Sequence, residues 1–288
     1  MAQTPWLPNR YPPDASRWAC PQRLGSVIRE RLAVLADVVN NKRYDFLGLP
    51  VDALTREEAL ARVKKLACTS EPSHVLFLNV DVMVKADKDS VLRGAIERSD
   101  LSLMDGKPPL KVAQKQGIPL PEKVSGSDFV PAVCAMAERE GLSVFILGGK
   151  EGVPEAARDN LLAMHPHLKI VGVYSPKFGF EKDPAELDKI NNMVFSAKPD
   201  ILLACLSCPK QEVFVEGNRG VYGAPVSISC GATVDFLAGN VRRAPEWVSR
   251  MGIEWLYRFF KEPSRLFRRY FIDSWHFLAM CRKHKGRA

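Results

Sequence analysis

No apolar run in this 288-residue chain approaches the ~18 residues a membrane-crossing helix needs, so any bilayer contact is expected to be peripheral. The first residues, Met-Ala-Gln-Thr-Pro-Trp, lack the charged start and apolar core of a secretory signal, and a cytoplasmic protein is expected. Both common nucleotide fingerprints are missing: there is no G-x-G-x-x-G and no G-x-x-x-x-G-K-[ST]. Histidine is scarce, and His74, His165, His167, His276 and His284 are scattered. No D-x-D flanked by apolar residues is present, because Asp87-Lys88-Asp89 falls in a charged helical stretch. Neither a metal nor a cofactor is therefore expected. The seven cysteines are odd in number and mostly embedded in apolar runs, and the single C-x-x-C, Cys205 to Cys208, has no second pair. They read as reduced cytosolic thiols rather than a disulfide framework or a zinc site.

What is present is a globular composition, 46% hydrophobic and 26% charged, with the charge sharply segregated. From residue 240 onward twelve Lys or Arg face four Asp or Glu, while residues 1–239 carry twenty-nine of each. The net charge of +8 thus resides in the last forty-nine residues. A basic end of this kind predicts an anionic partner: nucleic acid, phospholipid headgroups or a diphosphate.

Three regions are expected. Residues 1–45 form an arm, rich in Pro, Trp and Arg at its start, with a short helix at 24–39. Residues 46–239 alternate apolar runs with helical periodicity. Strands are predicted at 75–78, 101–104, 143–147, 169–173, 201–206 and 225–229, and helices at 81–98, 128–140, 153–164 and 184–196. That alternation predicts an α/β, Rossmann-like, mostly parallel sheet with helices on both faces. Residues 240–288 read as a basic helical appendage, with helices at 245–260 and 264–280 separated at Pro263. Arg258, Arg265, Arg268 and Arg269 cluster there on related turns with Trp255, Phe259, Leu266, Phe267, Tyr270 and Phe271, a combination suited to a lipid headgroup boundary, the alternative being a helix packed on the core with a solvated basic face.

In parallel sheets ligands bind beyond the carboxyl ends of the strands. Asn79, Asp105-Gly106, Gly148-Gly149-Lys150, Pro209-Lys210-Gln211-Glu212 and Gly231 all fall at that edge. Asp105, at the end of an apolar strand, is the candidate acid or base; a turn aspartate before glycine is the alternative. Gly148 and Gly149 can present backbone amides to a phosphate, or form an ordinary turn. Lys123, with Ser125 and Ser127 ahead of the next helix, offers a cation and hydroxyls, with helix capping by Ser127 or Asp128 as the plainer explanation. Gln211 and Glu212, if buried, can bind sugar hydroxyls; otherwise they are polar residues on a capped helix.

Taken in order, these pieces resemble the WecG/TagA/CpsF glycosyltransferases (family 26). The likeness covers residues 47–272 and includes Pro119-Leu120-Pro121-Glu122-Lys123-Val124-Ser125-Gly126-Ser127-Asp128, Lys198-Pro199-Asp200, Arg243-Ala244-Pro245, Glu254-Trp255-Leu256-Tyr257-Arg258 and Glu262-Pro263-Ser264-Arg265. The resemblance implies an inverting, metal-independent transferase that moves a sugar from a UDP-sugar (UDP-ManNAc, UDP-ManNAcA or UDP-glucose type) to a polyprenyl-diphosphate-linked sugar in exopolysaccharide or cell-wall glycopolymer assembly. It implies work on the inner face of the bacterial cell membrane. It gives Asp105 the role of general base and sets Asn79 and Gln211 near it. Lys123 would lie in the pocket, and Arg258, Arg265 and Arg268 would meet the lipid diphosphate and an anionic membrane surface. A homo-oligomer of the core is compatible with it.

The chain departs from that pattern at Phe77, at Lys107-Pro108-Pro109, at Lys123 in place of arginine, and at Ser207-Cys208 in place of Gly-x. Arginine to lysine loses bidentate phosphate geometry. Two readings from other classes compete. A nucleic-acid-binding α/β protein would use the basic tail, but no nucleic-acid motif is present and the aromatics share helical faces with Leu and Ile. A nicotinamide-dependent enzyme is opposed by the missing glycine fingerprint.

Overall fold

The computed structural model describes residues 42–240 and 273–284. The expected helices at 24–39 and 245–260, and the first part of that at 264–280, lie outside the described residues.

The described chain opens with a hairpin that the sequence pattern did not predict, β1 (Arg43–Phe46) paired antiparallel with β2 (Leu49–Asp52). Its two-residue turn places Leu47 at φ 57° and Gly48 at φ 76°, the doubly left-handed geometry that matches the twist of paired strands. Helix α1 (Arg56–Ala67) follows, started by a reciprocal cap between Thr55 and Glu58.

Six strands then form one sheet in which every pairing is parallel. In chain order the elements are β3 (Ser73–Leu78), α2 (Val80–Lys88), α3 (Ser90–Glu97), β4 (Leu101–Met104), α4 (Lys107–Lys115), α5 (Gly126–Glu140), β5 (Ser143–Gly148), α6 (Val153–Met164), β6 (Lys169–Tyr174), α7 (Pro184–Ala197), β7 (Ile201–Cys205), α8 (Lys210–Tyr222), β8 (Val226–Ser229) and α9 (Thr233–Leu237). Across the sheet the strands run β4-β3-β8-β7-β5-β6. A further helix, α10 (Asp273–Lys283), buries Phe277 and Met280 beside α2.

Alternation within each strand sends side chains to two apolar layers. Val75 and Phe77 of β3, with Ile201 and Leu203 of β7, join α1, α5, α6 and α9 on one face. On the other face Leu76 and Leu78 pack with α2, α3 and α4, whereas Leu202 and Ala204 pack with α7 and α8. The α/β architecture with both faces covered is therefore as predicted.

Three local readings need correction. The single helix expected at 81–98 is two, because Asp89 turns out of α2 and accepts from the N–H groups of Val91 and Leu92 (2.9 and 3.2 Å) to start α3. Helix α4 was not predicted, yet Pro108 and Pro109 sit in its first turn, where proline's missing N–H costs nothing. The N-cap position of α5 is Ser125 rather than Ser127 or Asp128; its hydroxyl makes no bond to the helix amides and donates to Asp128 Oδ2 at 2.7 Å.

Candidate active site

Parallel pairing throughout puts all six strand ends on one edge, and the helix faces decide where that edge opens. Helix α9 leaves β8 toward one face, while α2 and α8 leave the neighbouring strands β3 and β7 toward the other. Connections that diverge from adjacent strands leave a crevice between them. The floor of this crevice is the end of β8 at Cys230-Gly231.

Asp105 and Asn79 stand side by side at the crevice. Leu78 pairs in register with Met104, and the Asp105 N–H donates to the Leu78 carbonyl at 2.8 Å. Asn79 is the N-cap of α2, its side-chain oxygen accepting from the Val82 N–H at 3.1 Å. That bond fixes which end of the amide faces the helix. Asp105 is partly exposed. Lys123 is brought alongside by its neighbour, because the Val124 N–H donates to the Met104 carbonyl at 2.8 Å. Its ammonium lies 3.9 Å from Asp128 Oδ2 on the first turn of α5. Ser127 occupies the same turn. The start of α5 is pressed onto β3 and α9. A methyl group at Gly126 would stand 3.3 Å from both the Phe77 ring and Thr233 Oγ1.

Across the crevice, Gln211 and Glu212 begin α8 and both are buried, unlike polar residues on a solvent face. Gln211 Oε1 accepts from the Gly231 N–H at 2.9 Å, and Gln211 Nε2 donates to Glu212 Oε1 at 2.7 Å. Burial pushes the Glu212 carboxyl above its ordinary range, opposed by its bond from Gln211 and by the charge of Lys85. Lys85 reaches over from α2: its ammonium donates to Asp81 Oδ2 (2.8 Å) and to the Cys208 carbonyl (3.1 Å). Burial, reinforced by the nearby Glu212 charge, raises the Cys208 thiol so far that it stays protonated. Asp81, Lys85 and Cys208 thus belong to the site's frame, and only the i, i+4 spacing of Asp81 and Lys85 hinted at a pair.

Gly148 and Gly149 lie farther along the edge, on the other side of β7. Both have positive φ, 113° and 88°. The Gly149 N–H donates to the Cys205 carbonyl at 3.2 Å, and its own carbonyl accepts from Ser175 Oγ at 2.7 Å, so this loop is tied to β7 and to the segment leaving β6. A Cβ on Gly148 would lie 2.4 Å from the Cys205 carbonyl oxygen. Backbone approach this close leaves room only for glycine.

The structure therefore gathers Asp105, Asn79, Lys123, Ser127, Gln211 and Glu212 around one crevice and sets Gly148-Gly149 at its flank. Arg258, Arg265 and Arg268 lie outside the described residues. Among the described residues no cluster of His, Cys, Asp or Glu is placed to hold a metal ion, and no helix is long and apolar enough to cross a membrane.

A model of the glycosyl transferase WecG/TagA/CpsF family matches residues 44–288. An N-acetylglucosaminyldiphosphoundecaprenol N-acetyl-beta-D-mannosaminyltransferase of Bacillus subtilis (strain 168) is 28% identical over 188 residues, covering 65% of this chain and 71% of that protein. One of the same name from Bacillus spizizenii (strain ATCC 23059 / NRRL B-14472 / W23) is 26% identical over 191 residues, covering 66% and 72%.

Proposed function

Because this chain belongs to the glycosyl transferase WecG/TagA/CpsF family, we propose that it moves a hexosamine-type sugar, N-acetylmannosamine foremost, from its UDP derivative to a polyprenyl-diphosphate-linked sugar, inverting the anomeric centre. The chain is a glycosyltransferase. The names of its relatives motivate the choice of donor and acceptor. The observation that carries the chemistry is the placement of a partly exposed carboxylate, Asp105, beside a fixed amide, Asn79, at the mouth of the β8 crevice.

In this reading Asp105 takes the proton from the acceptor hydroxyl while that oxygen attacks the anomeric carbon from the side opposite the diphosphate. The C–O bond to the leaving UDP breaks as the new glycosidic bond forms, which inverts the configuration. Asn79 positions the acceptor sugar. Charge developing on the diphosphate is met by Lys123 and by amides of the Ser127 turn, with the Gly148-Gly149 loop flanking it. Gln211 closes the opposite wall. Arg258, Arg265 and Arg268 supply cations to the lipid diphosphate and to the anionic surface of the inner membrane face, where a polyprenyl acceptor must reside.

The test is transfer of radiolabelled sugar from a panel of UDP-sugars to polyprenyl-diphosphate-linked N-acetylglucosamine in detergent or liposomes. Transfer from UDP-N-acetylmannosamine in preference to the other donors supports the reading. No transfer from any donor, by protein that binds UDP, overturns it.

A further inference from the structure

Glu212 is only 2% exposed, and its Oε2 has no hydrogen-bond partner. A group so enclosed does not meet a substrate that comes and goes. Its one strong bond is to Gln211, whose other end is already committed: the Gly231 N–H can only donate, so Gln211 must present its oxygen there. With Oε1 so placed, Gln211 Nε2 faces Glu212 Oε1. Rotating the amide by half a turn would set donor against donor at Gly231 and acceptor against acceptor at Glu212. The three groups form a directional chain from α8 to the floor of the crevice.

We propose that Glu212 is a positioning residue for the transfer reaction: by accepting from Gln211 Nε2 it locks the Gln211 amide onto the Gly231 N–H and so holds the β8–α9 turn against the start of α8. Its role in transfer rests on the function proposed above; the lock itself does not. The chain has an anchored base. Lys85 of α2, the helix that Asn79 caps, donates to the Cys208 carbonyl just ahead of α8. Three neighbouring strand ends, those of β3, β8 and β7, are thereby coupled beneath the substrate.

A swap of near-isosteric side chains tests this without opening a cavity. In Gln211→Glu two carboxyl groups oppose one another, and the tie to Gly231 is strained. In the double variant Gln211→Glu/Glu212→Gln the donor and acceptor are exchanged: the amide now at position 212 donates to the carboxylate now at position 211, which still accepts from the Gly231 N–H. Amide hydrogen exchange at Gly231, followed on the full chain with melting temperature as the check on folding, should quicken about tenfold or more in Gln211→Glu. It should return most of the way in the swap. Transfer turnover should fall and recover in the same order. A swap no better protected than Gln211→Glu overturns the lock. Exchange that recovers while turnover shows no matching recovery in the swap overturns the role in transfer. Wild-type protein with no transfer activity, but with the expected exchange pattern, would instead indict the proposed reaction.

Discussion

Replacing Gly148 by alanine should damage both the fold and the site, and the structure sets the size of the effect. At φ 113° an L-residue is strained whatever surrounds it, at about 1–3 kcal/mol. The added Cβ would also meet the Cys205 carbonyl oxygen at 2.4 Å, its carbon at 2.5 Å and its Cα at 3.1 Å. These are backbone atoms of the adjacent strand and cannot rotate away, so β5 and β7 must separate, at about a further 1–3 kcal/mol. Gly152 is the internal control. Its φ is 81°, but a Cβ there meets nothing within 4 Å, so Gly152→Ala carries the backbone strain alone. Urea unfolding of the two variants against wild type should place Gly148→Ala about 2–6 kcal/mol below wild type and clearly below Gly152→Ala. UDP binding should weaken with it, since the bond from the Gly149 N–H to that same Cys205 carbonyl sets the position of the loop flanking the crevice. A Gly148→Ala protein within about 0.5 kcal/mol of Gly152→Ala would refute the close-approach reasoning.

Ser207 is a second strained position, a non-glycine residue at φ 67°. Ser207→Gly should stabilise the protein by about 0.5–1 kcal/mol, relief of left-handed strain outweighing the more flexible unfolded chain, and chemical denaturation reads it directly. His74 is fully enclosed, and burial, aided by the Arg219 charge, lowers it to about 3. The unfolded chain therefore binds a proton that the folded one refuses between about pH 6.5 and 3, and stability falls as pH drops through that window, by at most about 1.4 kcal/mol per unit. Thermal melts of His74→Gln across that range should show a shallower acid limb than wild type; identical slopes would remove His74 from the account.

The sheet was legible because its strands are buried on both faces. Val75-Leu76-Phe77-Leu78 and Ile201-Leu202-Leu203-Ala204 are continuous apolar runs that no half-exposed strand would show. What stayed hidden had competing chemistry. The β1–β2 turn uses Leu47 at a left-handed position where Asn or Asp would announce a hairpin. Helix α4 begins with Lys107-Pro108-Pro109, which reads as loop until proline's tolerance in a first turn is applied. Helix α8 was not given a range from sequence, since Gln211, Glu212 and Asn218 interrupt its buried stripe. The same burial distinguishes the site. Position after a strand singled out Asn79, Asp105 and Gln211, but nothing in sequence order says that Gln211 bonds Gly231 twenty residues on, or that Lys85 bridges to Cys208. Such pairings depend on strand order, and β8 inserting between β3 and β7 is invisible to periodicity.

The central claim is that Asp105 acts as the base, and the direct measurement is transfer turnover of Asp105→Asn beside wild type, with UDP affinity measured on both proteins. Asparagine keeps the size and the backbone bond to Leu78 but cannot accept the proton. Turnover reduced about 10²–10⁴-fold, with UDP affinity within about threefold of wild type, is the predicted result; undiminished turnover would contradict it and remove Asp105 from the mechanism.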